Sequence, residues 1–213
     1  MAAGHPDRAM DAPRTPVQGG GMDVEELHRR TVGIWTDRLK AVEDDAWDRP
    51  TPCTEWSVRA LVNHVVGEDA WTVPLMNGRT IEDVGDSLDG DLLGEDPIGT
   101  GTRSAAEAVG AVADRLPSGE RVHLSYGEET GEEYVRQLAA DHLVHAWDLA
   151  AAIGADRGLD PELVAEVAGW FAEREEMYRQ GGAIGPRVEA SGDAQTQLLA
   201  ACGRDPGWTP PQP

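Results

Sequence analysis

Apolar residues recur at helical spacing in several well-punctuated stretches of the chain. Val24, Leu27, Ile34, Trp35, Leu39 and Val42 predict a first helix of about 20 residues. Asp23 stands where its cap belongs, with Glu26 three residues on in a box-like pattern. Pro50, Pro52 and the cluster Thr54–Ser57 then break the chain, and Ser57 caps a second helix carrying Val58, Leu61, Val62, Val65 and Val66 as far as Met76. A third helix is expected from Thr102 to Leu116, with Ala105, Ala108, Val109 and Val112 inward and Pro117 as its stop. Thr130-Gly-Glu-Glu133 reads as a capping box that opens a central helix, traced by Tyr134, Leu138, His142, His145, Leu149 and Ile153 and ended by Gly154. Asp160 and Pro161 open another helix that buries Val164, Val167, Trp170, Phe171 and Met177 and stops at Gly181.

The connections are of different kinds. Residues 1–21 are rich in Gly, Pro, Ala and charge without periodicity and read as a disordered arm, with Met22 available as an alternative start. Between Asn77 and Gly101 lie six Gly and a surplus of acid, a long loop with a short helical piece at Ile81–Leu88. Val122–Leu124 reads as a brief extended segment, Ile184–Val188 as a strap, and Gln195–Ala201 as a short helix. The expected organisation is an arm over 1–21, a helical bundle over 22–181, and a strap with a short helix packed on it over 182–213. The fold class is all-α: four principal helices bury their stripes against one another, and sites in such bundles form between facing helices. An α-rich domain with a small sheet is the alternative, resting on the strand signals near 122 and 187.

Composition narrows the function more than the fold. With 40% hydrophobic residues in 213, the chain has material for one substantial core. Eighteen Lys and Arg stand against 39 Asp and Glu, a formal charge of −21, which argues against a nucleic-acid partner and against docking on an anionic membrane. No apolar run reaches the ~20 residues of a membrane helix, and the first residues do not resemble a secretory signal, so a cytoplasmic location is expected. Cys53 and Cys202 then read as reduced thiols. Seven Trp offer an exposed bundle face the means to form a homodimer.

The candidate chemistry sits on the central helix. Asp141 and His145 are four apart, on one face, in a stripe with Leu138, Leu149 and Ala152 that points inward. Buried polar groups need partners, and a metal is one such partner. His64, mid-way along the second helix, meets them if the two helices pack at mid-length, giving two imidazoles and a carboxylate with coordination positions left open. Taken alone, His64 reads as a core histidine, and His142 competes with His145 for the inward position. His28 reads as a surface or core-edge residue. Asp148, three residues beyond His145, stands where it could orient an imidazole, and Glu68, one turn beyond His64, is the remaining acid–base candidate.

The segments Thr51-Pro-Cys-Thr-Glu-Trp-Ser-Val-Arg-Ala-Leu-Val-Asn-His64 and Asp141-His-Leu-Val-His-Ala-Trp-Asp-Leu149 resemble the DinB-like family of metal-binding four-helix bundles. The nearest branch is the one containing the N-terminal domain of mycothiol-dependent maleylpyruvate isomerase, and Gly185-Pro-Arg-Val-Glu with Leu198-Leu-Ala-Ala-Cys-Gly-Arg-Asp-Pro206 is similar to it as well. The resemblance runs from about Met22 to Trp208. It implies a divalent metal (zinc first, with nickel, iron or manganese as alternatives) held by His64, Asp141 and His145. Its implied activity is transfer or isomerisation involving a small-molecule thiol such as mycothiol and a small electrophile. Two departures are visible: the branch's namesake isomerase has Glu in place of Asp141, and it continues into a further domain for which little chain follows residue 181. The other readings are a non-catalytic metal or small-molecule binding module and a metal-dependent hydrolase.

Overall fold

A computed structural model describes residues 21–211; the arm expected over 1–21 falls, but for its last residue, outside them. Its elements are α1 (Val24–Lys40), α2 (Val58–Met76), α3 (Ile81–Val84), α4 (Pro97–Arg115), β1 (Arg121–Leu124), β2 (Gly127–Thr130), α5 (Gly131–Ile153), α6 (Pro161–Ala172), α7 (Glu175–Gln180) and α8 (Ala194–Ala201). Helices α1, α2, α4 and α5 make the bundle, with α5 and α4 each packed against both α1 and α2. Among the described residues no helix is long and apolar enough to cross a membrane.

Local chemistry accounts for the helix ends. Asp23 accepts from the amides of Glu25 and Glu26, Ser57 from Ala60, and Thr130 from Glu133. The reciprocal halves of the two expected boxes are spent elsewhere. Glu26 pairs with Arg29, and Glu133 grips Arg174 and the indole N–H of Trp170. A complete capping box forms instead between Thr80 and Asp83 on the short α3. Gly154 closes α5 in the left-handed region at φ 73°, and Asp160 with Pro161 opens α6.

Helix α5 is the spine. Every residue from His142 to Ala152 is buried, as befits a helix covered on all sides. One face packs with Trp35 and Leu39 of α1 and Leu61, Val62 and Val65 of α2. Another packs with Leu163, Val164 and Phe171 of α6 and Leu198, Leu199 and Cys202 around α8. Near the start of α5, Tyr134, Val135 and Leu138 meet Met76, Val112 and Val122 beside the β1–β2 hairpin, where Arg121 faces Thr130 and Leu124 faces Gly127.

Three local expectations are corrected. The third bundle helix begins at Pro97, capped by Asp96, rather than at Thr102, because the acidic loop ends sooner. That loop lies back on α2, where Asn63 bonds Gly90 and Leu92, Arg59 pairs with Asp91, and Leu93 is buried. The helix expected from Asp160 to Gly181 breaks after Ala172, which leaves Met177 60% exposed rather than inward. The brief extended segment expected at Val122–Leu124 is borne out as β1, which pairs with β2 in a hairpin. His28, expected at a surface or core edge, is fully buried edge-on to His142 at 5.7 Å, and neither ring nitrogen has a hydrogen-bond partner among the described residues.

Burial depresses the His28 imidazole to about 3, with the charge of His142 adding to the effect. A histidine held neutral by the fold contributes stability above its unfolded pKa, and that stability is lost as pH falls from about 6.5 toward 3. The loss between pH 7 and pH 5 is expected to be about 2 kcal/mol larger in the wild type than in His28→Leu. Urea unfolding at the two pH values measures it, and an equal fall in both proteins would contradict the assignment. A second expectation concerns Gly101, where an added Cβ would meet Leu39 Cδ2 at 2.5 Å. Gly101→Val should destabilise by about 1–3 kcal/mol through overpacking. Gly110→Ala, with nothing within 4 Å of the new atom, should gain about 0.5–1 kcal/mol in the same thermal or urea measurement.

Candidate metal centre

Helices α2 and α5 bring His64, Asp141 and His145 together at mid-length. The two carboxylate oxygens of Asp141 divide between the imidazoles: Oδ1 lies 3.3 Å from His145 Nε2, and Oδ2 lies 3.3 Å from His64 Nε2. One ligand atom from each residue falls within 4.8 Å of the others. His145 is buried, whereas the side chains of His64 and Asp141 are 30% and 34% exposed, so the group opens to the surface on one side. Trp56 covers the imidazoles, with ring centroids 4.9 Å from His64 and 6.1 Å from His145. Asp141, the shorter arm, thus reaches both histidines.

Two donors each ~2.1 Å from a common zinc stand ~3.4 Å apart in a tetrahedron; each imidazole nitrogen here has one Asp141 oxygen at 3.3 Å, a different oxygen for each. Asp141 Oδ2 is buried and makes no hydrogen bond of good geometry among the described residues. An unsatisfied carboxylate oxygen 3.3 Å from an imidazole nitrogen suits a cation.

A second group of ligand-type atoms, from Cys53, His145 and Asp148, shares His145. Here a cation is already supplied by the protein. The guanidinium of Arg204 donates to Asp148 Oδ2 at 3.1 Å and to Cys53 Sγ at 3.2 Å. His145 Nδ1 donates to the same Asp148 oxygen at 2.9 Å. Cys53 Sγ lies 3.8 Å from that nitrogen, on the side of the ring turned away from Asp141. Cys53 is therefore not a fourth member of the His64–Asp141–His145 set.

Charge follows this geometry. Burial disfavours the charged forms, but Asp141 and Asp148 outweigh it and raise His145 well above the usual histidine value. Against the same burial, His145 and His64 hold Asp141 well below the carboxylate range, and His145 with Arg204 lowers Asp148. Glu68, one turn from His64, goes the other way: burial first, then the charge of Asp141, pushes its carboxyl up.

The competition between His142 and His145 is resolved. His142 turns to the bundle interior, where Nδ1 donates to the Leu138 carbonyl at 2.8 Å and Nε2 to Asp69 Oδ1 at 3.1 Å. Despite full burial, the Asp69 carboxylate raises its pKa. Sequence reasoning missed three participants. Trp56 and Cys53 sit on the turn Thr51–Trp56, closed by Thr51 Oγ1 donating to the Cys53 and Trp56 carbonyls. Arg204 arrives from the far end of the chain. All three lie inside the segments that carry the family resemblance, which was the one available signal.

Residues 28–150 match the model of the mycothiol maleylpyruvate isomerase N-terminal domain. The chain belongs to this family. The match takes in His64, Asp141, His145 and Asp148 and ends before Arg204. Two uncharacterised proteins from two strains of Mycobacterium tuberculosis are 34% identical to the chain over 151 residues, covering 68% of it and 75% of each relative. Among solved structures, mycothiol-dependent maleylpyruvate isomerase aligns with a TM-score of 0.56, and a point variant of it with 0.59. Each is 17% identical, over 78% of this chain and 75% of the other. At that identity the likeness establishes the fold, the DinB-like bundle.

Proposed function

We propose that His64, Asp141 and His145 hold a divalent metal, zinc first by its donor set, and that the protein is a metal-dependent enzyme of low-molecular-weight thiol chemistry. The observation that carries the metal reading is the buried, unsatisfied Oδ2 of Asp141 beside His64, on a carboxylate that lies between two imidazoles. The thiol, mycothiol or a relative, and a small electrophile as its reaction partner are supported by membership of a family whose namesake is a mycothiol-dependent isomerase.

When bound there, the ion supplies the Lewis acidity that keeps a coordinated thiol as thiolate near neutral pH. The chain's own groups do the rest. His145 presents Nε2 to the centre while its Nδ1–H is held by Asp148. Trp56 excludes water from one side of the imidazoles. Glu68 keeps its proton to higher pH than an ordinary glutamate, which suits it to give and take a proton beside the centre. The exposed sides of His64 and Asp141 leave the way in for a small substrate.

Elemental analysis should find close to one metal per chain in the wild type and little in His64→Ala or His145→Ala proteins that remain helical. Equal metal in all three would remove the centre. In cobalt-substituted protein, added thiol should bring in sulfur-to-cobalt charge-transfer absorption, and an unchanged spectrum would count against thiol chemistry. Glu68→Gln is expected to keep its metal and lose roughly 10²-fold or more in turnover of a thiol–electrophile pair. Wild-type turnover in that variant would relieve Glu68 of its role.

A further inference from the structure

The segment that follows α8 reaches the back of the candidate centre. Cys202 ends the helix, and Gly203 takes φ 76° beside the Gly185–Pro186 backbone, where any Cβ would meet backbone atoms at 3.2 Å. The amide of Arg204 then bonds the Leu199 carbonyl at 2.8 Å, which anchors this residue to α8. Its side chain runs inward. Nη1 donates to the Cys202 carbonyl at 2.9 Å, Nε lies 3.3 and 3.4 Å from the two Asp148 oxygens, and Nη2 donates to Asp148 and to Cys53.

Asp148 has no exposed side-chain surface. Among the described residues its only ion-pair partners are Arg204 and His145. A buried carboxylate is stable only with its charge and lone pairs compensated. The planar guanidinium does both at once and also fixes the rotation of the carboxylate, which a lysine's point charge does less well. Among the described residues Asp148 in turn is the carboxylate placed on His145 Nδ1, as Asp141 is on Nε2.

We propose that Arg204 is a positioning residue of the His64–Asp141–His145 centre: it locks Asp148 against Nδ1 of His145, so that Nε2 stays turned toward Asp141 and His64. Without it the carboxylate keeps only the Cys53 thiol at 3.2 Å and the His145 imidazole at 2.9 Å, both on Oδ2, and loses the planar partner that reaches both oxygens. The inference rests on the metal reading of the centre for its functional consequence, but the clamp itself is a property of the protein. It makes the C-terminal segment, beyond the family match, a part of the site.

The test uses the full chain as wild type, Arg204→Gln, Arg204→Lys, Asp148→Asn and the Asp148→Asn/Arg204→Gln double variant. Zinc affinity is read by chelator competition, and solvent exchange of the His145 Nδ1–H by nitrogen-15 NMR of the metal-free protein. Arg204→Gln should weaken zinc roughly 10- to 100-fold and speed the exchange, with Arg204→Lys intermediate. The double variant should bind no more weakly than Asp148→Asn alone, because the arginine acts through that carboxylate. Wild-type affinity and exchange in Arg204→Gln would overturn the proposal, as would losses that add in full in the double variant. Should Arg204→Gln not fold, Arg204→Lys decides: unchanged affinity and exchange would overturn the clamp. Should the wild type itself bind no zinc, the metal reading fails, and the exchange measurement still judges the clamp.

Discussion

Alternation of charge along Asp141, His145, Asp148 and Arg204 is the constraint around which the site is arranged. Each of these groups would be costly to bury alone, yet Asp148 and His145 are buried almost completely. They are tolerated because Asp148 lies between Arg204 and the His145 imidazole, Asp141 lies between two imidazoles, and the His145 imidazole lies between two acids. The chain of pairs ends at the partly exposed side of His64 and Asp141, where one carboxylate oxygen is left without a hydrogen bond. The interior end is complete and the surface end is not. The metal ion proposed for this centre would complete it.

The bundle makes such an arrangement possible by placing α5 where it is covered on every side. Successive turns of that helix then serve different purposes. His145 faces α2 and the open centre, while His142 faces Asp69 and His28 in the interior. Small residues at Ala146, Ala150, Ala151 and Ala152 let the neighbouring helices approach. A polar set therefore sits within a hydrophobic core without disrupting it, since the apolar contacts of α1, α2, α6 and α8 surround it.

The site also draws on segments far apart in the chain. The turn Thr51–Trp56 supplies an indole lid and a thiol, α2 and α5 supply the metal-type ligands, and the residue after α8 supplies the guanidinium. Of this set, all but the guanidinium of Arg204 falls within residues 28–150, the stretch matched by the family model.

Periodicity and caps alone placed most of the helices, because amphipathic stripes and N-terminal Asp, Ser and Thr act locally. The spacing of Asp141 and His145 marked them as neighbours for the same reason. Where the readings failed, a distant partner had intervened. Glu133 left its capping box for Arg174, and the helix after Pro161 broke so that Met177 turned outward. Two matters could be decided only by tertiary packing. One was whether His142 or His145 faces the centre, since they differ by about 100° and either could have been turned inward. The other was the role of Arg204, 56 residues from Asp148. A helix fixes which of its own residues share a face, but only the packing of other segments around it decides what that face meets.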